Sequence, residues 1–161
     1  MPERRICVMS PFKNLLNYGT ANASFHLFLK SINAQNYSNY HVYMMDDAST
    51  DNSSAAIIQE LPKYPRLSNR LTLLQNKFPI GALGNRDSVT RKFCGPGDIV
   101  MDIDGDDALI GKQAFNFFNR YYHNSNAWFV YSNFIQIEGD KQGDGRKIAV
   151  NMSSALAGPS K

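Results

Sequence analysis

The residues best suited to chemistry are three polar clusters, each following an apolar stretch: Ser10-Pro11, Asp46-Asp47 and Asp104-Gly105-Asp106-Asp107. In the last, Asp104, Asp106 and Asp107 lie within four residues on a glycine-containing turn, so their carboxylates can converge on one point. Such crowding is repulsive unless a cation joins it, and hard oxygen donors select Mg2+ or Mn2+, which keep waters and bridge to substrate phosphates. The competing reading is a solvated Asp-Gly turn capping the next helix. Asp46-Asp47 has a similar rival, because Asp, Ser and Thr are common caps where a strand passes into a helix. One aspartate suffices for that role, which leaves the second to accept a hydrogen bond from a nucleobase N–H or a ribose hydroxyl.

The elements that must position these clusters follow from periodicity. Residues 4–10 read as a first strand stopped by Pro11, which cannot continue a central ladder. Ala21, Phe25, Phe28, Leu29 and Ile32 recur at spacings of three and four, a helix with one buried stripe over about residues 20–35. Residues 41–45 read as a second strand, followed by a helix to about Leu61 with Ser49, Thr50 and Asp51 as candidate caps. A third strand spans 70–75, and a third helix, 81–93, carries Arg86, Arg91 and Lys92. Residues 98–103 form a fourth strand, apolar enough to be central. An aromatic-rich helix over 111–123 and a long strand over 127–137 follow, and residues 138–161 read as a polar, irregular tail with no second domain. Alternation of this kind predicts an α/β fold with a mostly parallel sheet and helices on both faces. In such sheets ligands bind at the carboxyl ends of the strands, where all three clusters fall.

Composition sets the outer limits. The 161 residues, 43% hydrophobic and 19% charged, suit one ordinary globular domain, with 17 Lys+Arg against 14 Asp+Glu for a formal charge of +3. The basic residues are scattered, so nucleic acid is not expected as a partner. The apolar run over 6–9 is too short for a signal peptide or a membrane span, which predicts a cytoplasmic protein without a membrane segment. Cys7 and Cys94 have no metal-ligand spacing and are expected as free thiols in a reducing compartment. His26, His41 and His123 likewise lack ligand spacing, and the sequons at Asn22, Asn36, Asn52 and Asn151 read as chance in an Asn-rich chain.

At the same clusters, over roughly residues 4–137, the chain resembles the inverting GT-A glycosyltransferases of family 2. The resemblance rests on Ser10-Pro11-Phe12-Lys13-Asn14, on Ser31-Ile32-Asn33-Ala34-Gln35, and on Met45-Asp46-Asp47-Ala48-Ser49-Thr50-Asp51, its most specific block. It continues through Asn76 with Gly81-Ala82-Leu83-Gly84-Asn85-Arg86, and through Gly97-Asp98-Ile99-Val100 with the acidic turn. The resemblance implies a Rossmann-like GT-A domain that takes a nucleoside diphosphate sugar, UDP favoured over GDP. It places Asp47 near the base, Asn85 and Arg86 near the diphosphate or sugar, and Asp104 with Asp106 in the metal and ribose motif, Asp107 being the alternative ligand. Ser10, Pro11 and Asp46 join them as donor-binding candidates. The general base that inversion requires usually follows the metal motif. Here only residues 108–161 follow, so the acceptor half is expected to be shortened or missing. Glu138, Asp140 and Asp144 are the acidic residues left there, and none is assigned as a base.

Two rivals accompany this reading. One is a donor-binding remnant without turnover. The other is a phosphohydrolase of the haloacid-dehalogenase type, which residues 99–105 resemble, with Asp102 as nucleophile and Asp104 as acid/base. That reading leaves Asp46 to Asp51 unexplained, and Asp106 departs from its motif.

Overall fold

The structure is a computed structural model that describes residues 2–16, 21–132, 134–139 and 146–151, with backbone alone for 21–24, 134–139 and 146–151. The chain forms two compact units, Met1–Asn119 and Arg120–Lys161. The first unit alternates β1 (Ile6–Phe12), α1 (Ala21–Asn33), β2 (Tyr40–Asp46), α2 (Ser53–Glu60), a short 3-10 turn, α3 (Pro65–Ser68), β3 (Leu71–Gln75), α4 (Gly81–Phe93) and β4 (Ile99–Asp102), and α5 (Ala114–Asn124) starts within it. Its four strands are all parallel, in the order β3-β2-β1-β4. This is the expected α/β, Rossmann-like arrangement.

The core lies on both faces of the sheet. Cys7 and Met9 of β1 pack with Tyr43, Met45 and Val89, the last from α4. On the opposite face the ring of Phe115 meets Tyr37 and Tyr40. The α1 stripe is confirmed by burial, since Phe25, Phe28, Leu29 and Ile32 are at most 2% exposed. Each such side chain contributes roughly 1.5–3 kcal/mol through removal of apolar surface from water.

Several expectations are corrected. Pro11 does not end β1 but lies inside it, opposite Met45. Its carbonyl accepts from Gly105 N–H, so its nitrogen faces the β4 side beyond Asp102, where no ladder donor is needed. Strand β4 is at the edge of the four-stranded sheet rather than central, and its alternating burial leaves Val100 and Asp102 on an open face. Helix α2 starts at Ser53, and of the three candidate caps it is Asp51 that accepts from Ser53 N–H, as expected, while the side chain of Asn52 makes no capping bond. Cys7 and Cys94 form a disulfide rather than two free thiols. Their 87-residue separation conceals what the fold creates, namely that α4 ends over the face of β1 that carries Cys7. A reducing compartment inferred from free thiols loses that support. Among the described residues no helix is long and apolar enough to cross a membrane.

In the second unit the strand expected over 127–137 is found as β5 (Phe134–Gly139), with no strand over 127–132 and an end two residues beyond 137, and it pairs antiparallel with β6 (Arg146–Asn151). The β6 residues fall in the stretch expected to be irregular. The alternation Ile148-Ala149-Val150 is short and flanked by glycines and charges, which hid it, yet the register sets Ile137 opposite Ile148 and Ile135 opposite Val150.

Candidate functional site

The strand order reverses between β1 and β4, and a cleft of about 150 Å3 opens there at the carboxyl ends of the strands. It is lined by Pro11, Phe12 and Lys13 leaving β1, Asp47 leaving β2, Ala82 and Asn85 on α4, and Asp104 leaving β4. Two aspartates far apart in sequence therefore face one space.

Asp47 is 7% exposed and accepts four hydrogen bonds. Its Oδ1 takes Ile80 N–H at 2.8 Å, Asn85 Nδ2 at 2.9 Å and Asn76 Nδ2 at 3.2 Å, while Oδ2 takes Gly81 N–H at 3.1 Å. The carboxylate thus satisfies the opening N–H groups of α4 from another loop, where the helix dipole also favours negative charge. Burial opposes the charge, but the bonds from Ile80, Asn85, Asn76 and Gly81 outweigh it and hold the carboxyl below its ordinary pKa. Asn85, 2% exposed, completes the lock by donating also to Gly81 C=O and accepting from Asn76.

Asp46 points into its own turn, where Ser49 N–H donates to Oδ1 at 2.7 Å and the Ser54 hydroxyl donates to Oδ2. It caps locally, as the rival reading had it, and Asp47 is the member of the pair that faces the cleft. The turn carries strain at Ala48, which holds φ at +58°, a left-handed conformation that a Cβ disfavours. Ala48→Gly is expected to raise stability by about 0.5–1 kcal/mol, the relief exceeding glycine's entropic cost, measurable as a higher denaturation midpoint.

At the β4 exit, Gly105 packs so closely on β1 that a Cβ there would sit 3.0 Å from Phe12 Cβ, which seats the acidic turn against the cleft wall. Arg86 of α4 reaches across: its Nε donates to Asp102 at 2.8 Å and its Nη2 to Asp104 Oδ1 at 2.7 Å. Burial raises the pKa of Asp104, Arg86 opposes that rise, and the charges of Asp102 and Asp106 add to it. Asp107 is raised by burial and then by Asp106 and Asp104.

Residues 20–150 match the sequence profile of Glycosyl transferase family 2. The chain belongs to that family. No curated protein matches it in sequence. Among solved structures, it is similar to S. aureus TarS 1-349 (18% identity, TM-score 0.59, 90% of this chain and 38% of that one). A second TarS 1-349 structure, in complex with UDP, gives 19%, 0.57, 88% and 37%. The mannosyltransferase PcManGT from Pyrobaculum calidifontis, in complex with GDP-Man and Mn2+, gives 21%, 0.65, 84% and 37%. The chain thus spans well under half the length of these structures, and at such identities the likeness concerns the fold.

Within this family-2 domain the expected site residues separate into three groups. Pro11, Asp47, Asn85 and Asp104 line the cleft. Arg86, Asp106 and Asp107 belong to its acidic border through Asp104. Ser10 and Asp46 are not among its lining residues: Ser10 is fully buried with its hydroxyl unpaired, and Asp46 is consumed by its turn. Residue-type reasoning did not single out Lys13, an exposed cation on the cleft wall, or Asn76 as a support for Asp47. Their signal was present only as members of matched blocks. Asp102, the phosphohydrolase nucleophile of the rival reading, is paired with Arg86.

The acidic turn suits a divalent cation in donor type. Among the described residues no three His, Cys, Asp or Glu side chains converge as a ready-made metal centre. Carboxyls of Asp104 and Asp107 made harder to ionise by burial and by neighbouring acids are what an added cation would relieve. Mg2+ and Mn2+ commonly take one or two carboxylates and fill the remaining positions with water and substrate oxygens.

Proposed function

We propose that the chain binds a nucleoside diphosphate sugar with Mn2+ or Mg2+ and serves as the donor-binding part of an inverting glycosyltransferase. The observation that carries this reading is the shared cleft at the β1/β4 switch point, with Asp47 on one side and Asp104 on the other. The similar structures in complex with UDP and with GDP-Man and Mn2+ support it.

Asp47 is the base-recognising group. A carboxylate offers about four acceptor sites, and Oδ1 is already used by three donors and Oδ2 by one. The remaining acceptor capacity on Oδ2 suits the single N3–H of uracil better than the two adjacent donors of guanine, which would need both oxygens. UDP is accordingly the preferred nucleotide. Phe12 and Pro11 provide apolar walls, and Lys13 provides a cation for the diphosphate. Asp104, Asp106 and Asp107 are the residues that would hold the divalent cation, which when bound would supply neutralisation of charge on the departing diphosphate. Proton removal from the acceptor requires a base, for which no residue of this chain is assigned.

The test is a thermal-shift comparison of UDP and GDP with Mn2+, Mg2+ or chelator. UDP with Mn2+ at about 100 times its dissociation constant should add roughly 2.7 kcal/mol. GDP should need higher concentrations for the same shift. Absence of any nucleotide shift under all conditions would overturn the reading, and assay of UDP-sugar hydrolysis then separates an enzyme from a binding remnant.

A further inference from the structure

Arg86 is committed to two carboxylates of its own chain. Its Nε is 2.8 Å from Asp102 and its Nη2 is 2.7 Å from Asp104, and at 27% exposure it is the most enclosed of the three side chains. The pairing ties α4 to the exit of β4 and follows from the rigid fork of a guanidinium, which can span two acceptors where an ammonium would favour one. A surface arginine without such a role is present on the same helix for comparison: Arg91, 77% exposed, pairs with Asp87 one turn earlier. What sets Arg86 apart is that Asp104 also lines the cleft. The group that a cation would need is thus already held by an internal cation.

We propose that Arg86 is a positioning residue that competes with a divalent cation for Asp104, and that the pair opens when cation and nucleoside diphosphate enter together. This rests on the donor reading above. The cation alone must displace a guanidinium that then has one acidic partner fewer, so it binds weakly. A diphosphate supplies the displaced guanidinium with a new anionic partner, so each ligand removes the obstacle to the other. Arg86 thereby makes the binding of cation and nucleotide mutually dependent, and the dependence is reciprocal by linkage.

The test titrates Mn2+ alone, read from the electron paramagnetic resonance of the free ion, and repeats the titration with saturating UDP. It uses the full chain, Arg86→Gln, Arg86→Lys and Arg91→Gln. Arg86→Gln should bind Mn2+ alone about five-fold tighter, the equivalent of one exposed ion pair of about 1 kcal/mol. The increase in Mn2+ affinity caused by UDP should shrink by a similar factor, while Arg91→Gln behaves as the unsubstituted chain. Arg86→Lys, which keeps the charge but loses the fork, should tighten Mn2+ binding by about two-fold, and it decides the matter if the glutamine variant does not melt cooperatively. Unchanged or weaker Mn2+ binding in the Arg86 variants overturns the proposal, as does equal tightening in Arg91→Gln, which would reduce the effect to net charge. Failure of the unsubstituted chain to bind UDP with any cation is a separate result that removes the donor reading itself.

Discussion

Asp47→Asn is expected to lower the unfolding midpoint by about 10 °C, corresponding to a loss of about 3 kcal/mol in a domain of this size. The amide keeps the shape but removes the charge that four donors address, and its NH2 must confront at least one of them, such as Gly81 N–H beside Oδ2. Hydrogen bonds to a charged acceptor contribute about 1.5–3 kcal/mol each against 0.5–1.5 for neutral ones, and a buried donor left facing another donor costs its desolvation as well. The loss should extend beyond one loop, because Asp47 connects the β2 exit to the first turn of α4 through Ile80 and Gly81. The acid limb gives a second readout. A carboxyl whose folded pKa lies below its unfolded value stabilises fully above the unfolded pKa of about 4 and loses that contribution as pH falls through the folded value. The unsubstituted chain should therefore lose stability below about pH 4 more steeply than Asp47→Asn. A variant within 0.5 kcal/mol of the original at neutral pH would remove Asp47 as the anchor of α4.

The two roles open to Asp47, support of α4 and the base recognition proposed above, explain why the sequence made some of this site legible and not the rest. The capping chemistry of Asp46-Asp47 and the recognition chemistry use the same residue types, so pattern alone left one aspartate for each role without saying which. The structure divides them by strand geometry: Asp46 is the last residue of β2 and faces its own turn, while Asp47, one residue on, faces α4. The helices were legible where apolar spacing was strong, as for Phe25, Phe28, Leu29 and Ile32, and α4 has the expected bounds, 81–93. Pro11 misled because a proline is excluded only where its missing N–H is needed, and neighbour strands of unequal length leave that position free. The edge position of β4 was hidden for a related reason. The sequence Ile-Val-Met-Asp is apolar enough for a buried strand, but which side of β1 it joins is decided by chain crossover, which local periodicity does not encode. The Cys7–Cys94 bond and the Arg86 fork share that non-local origin.

Asp106→Asn is expected to leave the unliganded protein as stable as before and to abolish the part of the UDP shift that depends on Mn2+. Asp106 is exposed, and exposed substitutions away from caps and networks usually stay within about 0.5 kcal/mol. Its charge raises the pKa of both Asp104 and Asp107, so neutralising it relieves repulsion, and any change in the unliganded midpoint should be upward. A residue with a purely structural part in the turn would behave oppositely, lowering the unliganded midpoint while the ligand increment stayed constant. With UDP and Mn2+ at about 100 times the dissociation constant, the original chain should gain roughly 2.7 kcal/mol, or about 8 °C. Asp106→Asn under the same conditions should melt where the original chain melts with UDP and chelator, because the substitution removes one of the carboxylates proposed to hold the cation. Retention of the full Mn2+ increment would take Asp106 out of the cation's coordination and leave Asp104 and Asp107 as its ligands. A lower unliganded midpoint with the increment intact would assign Asp106 to the architecture of the turn instead.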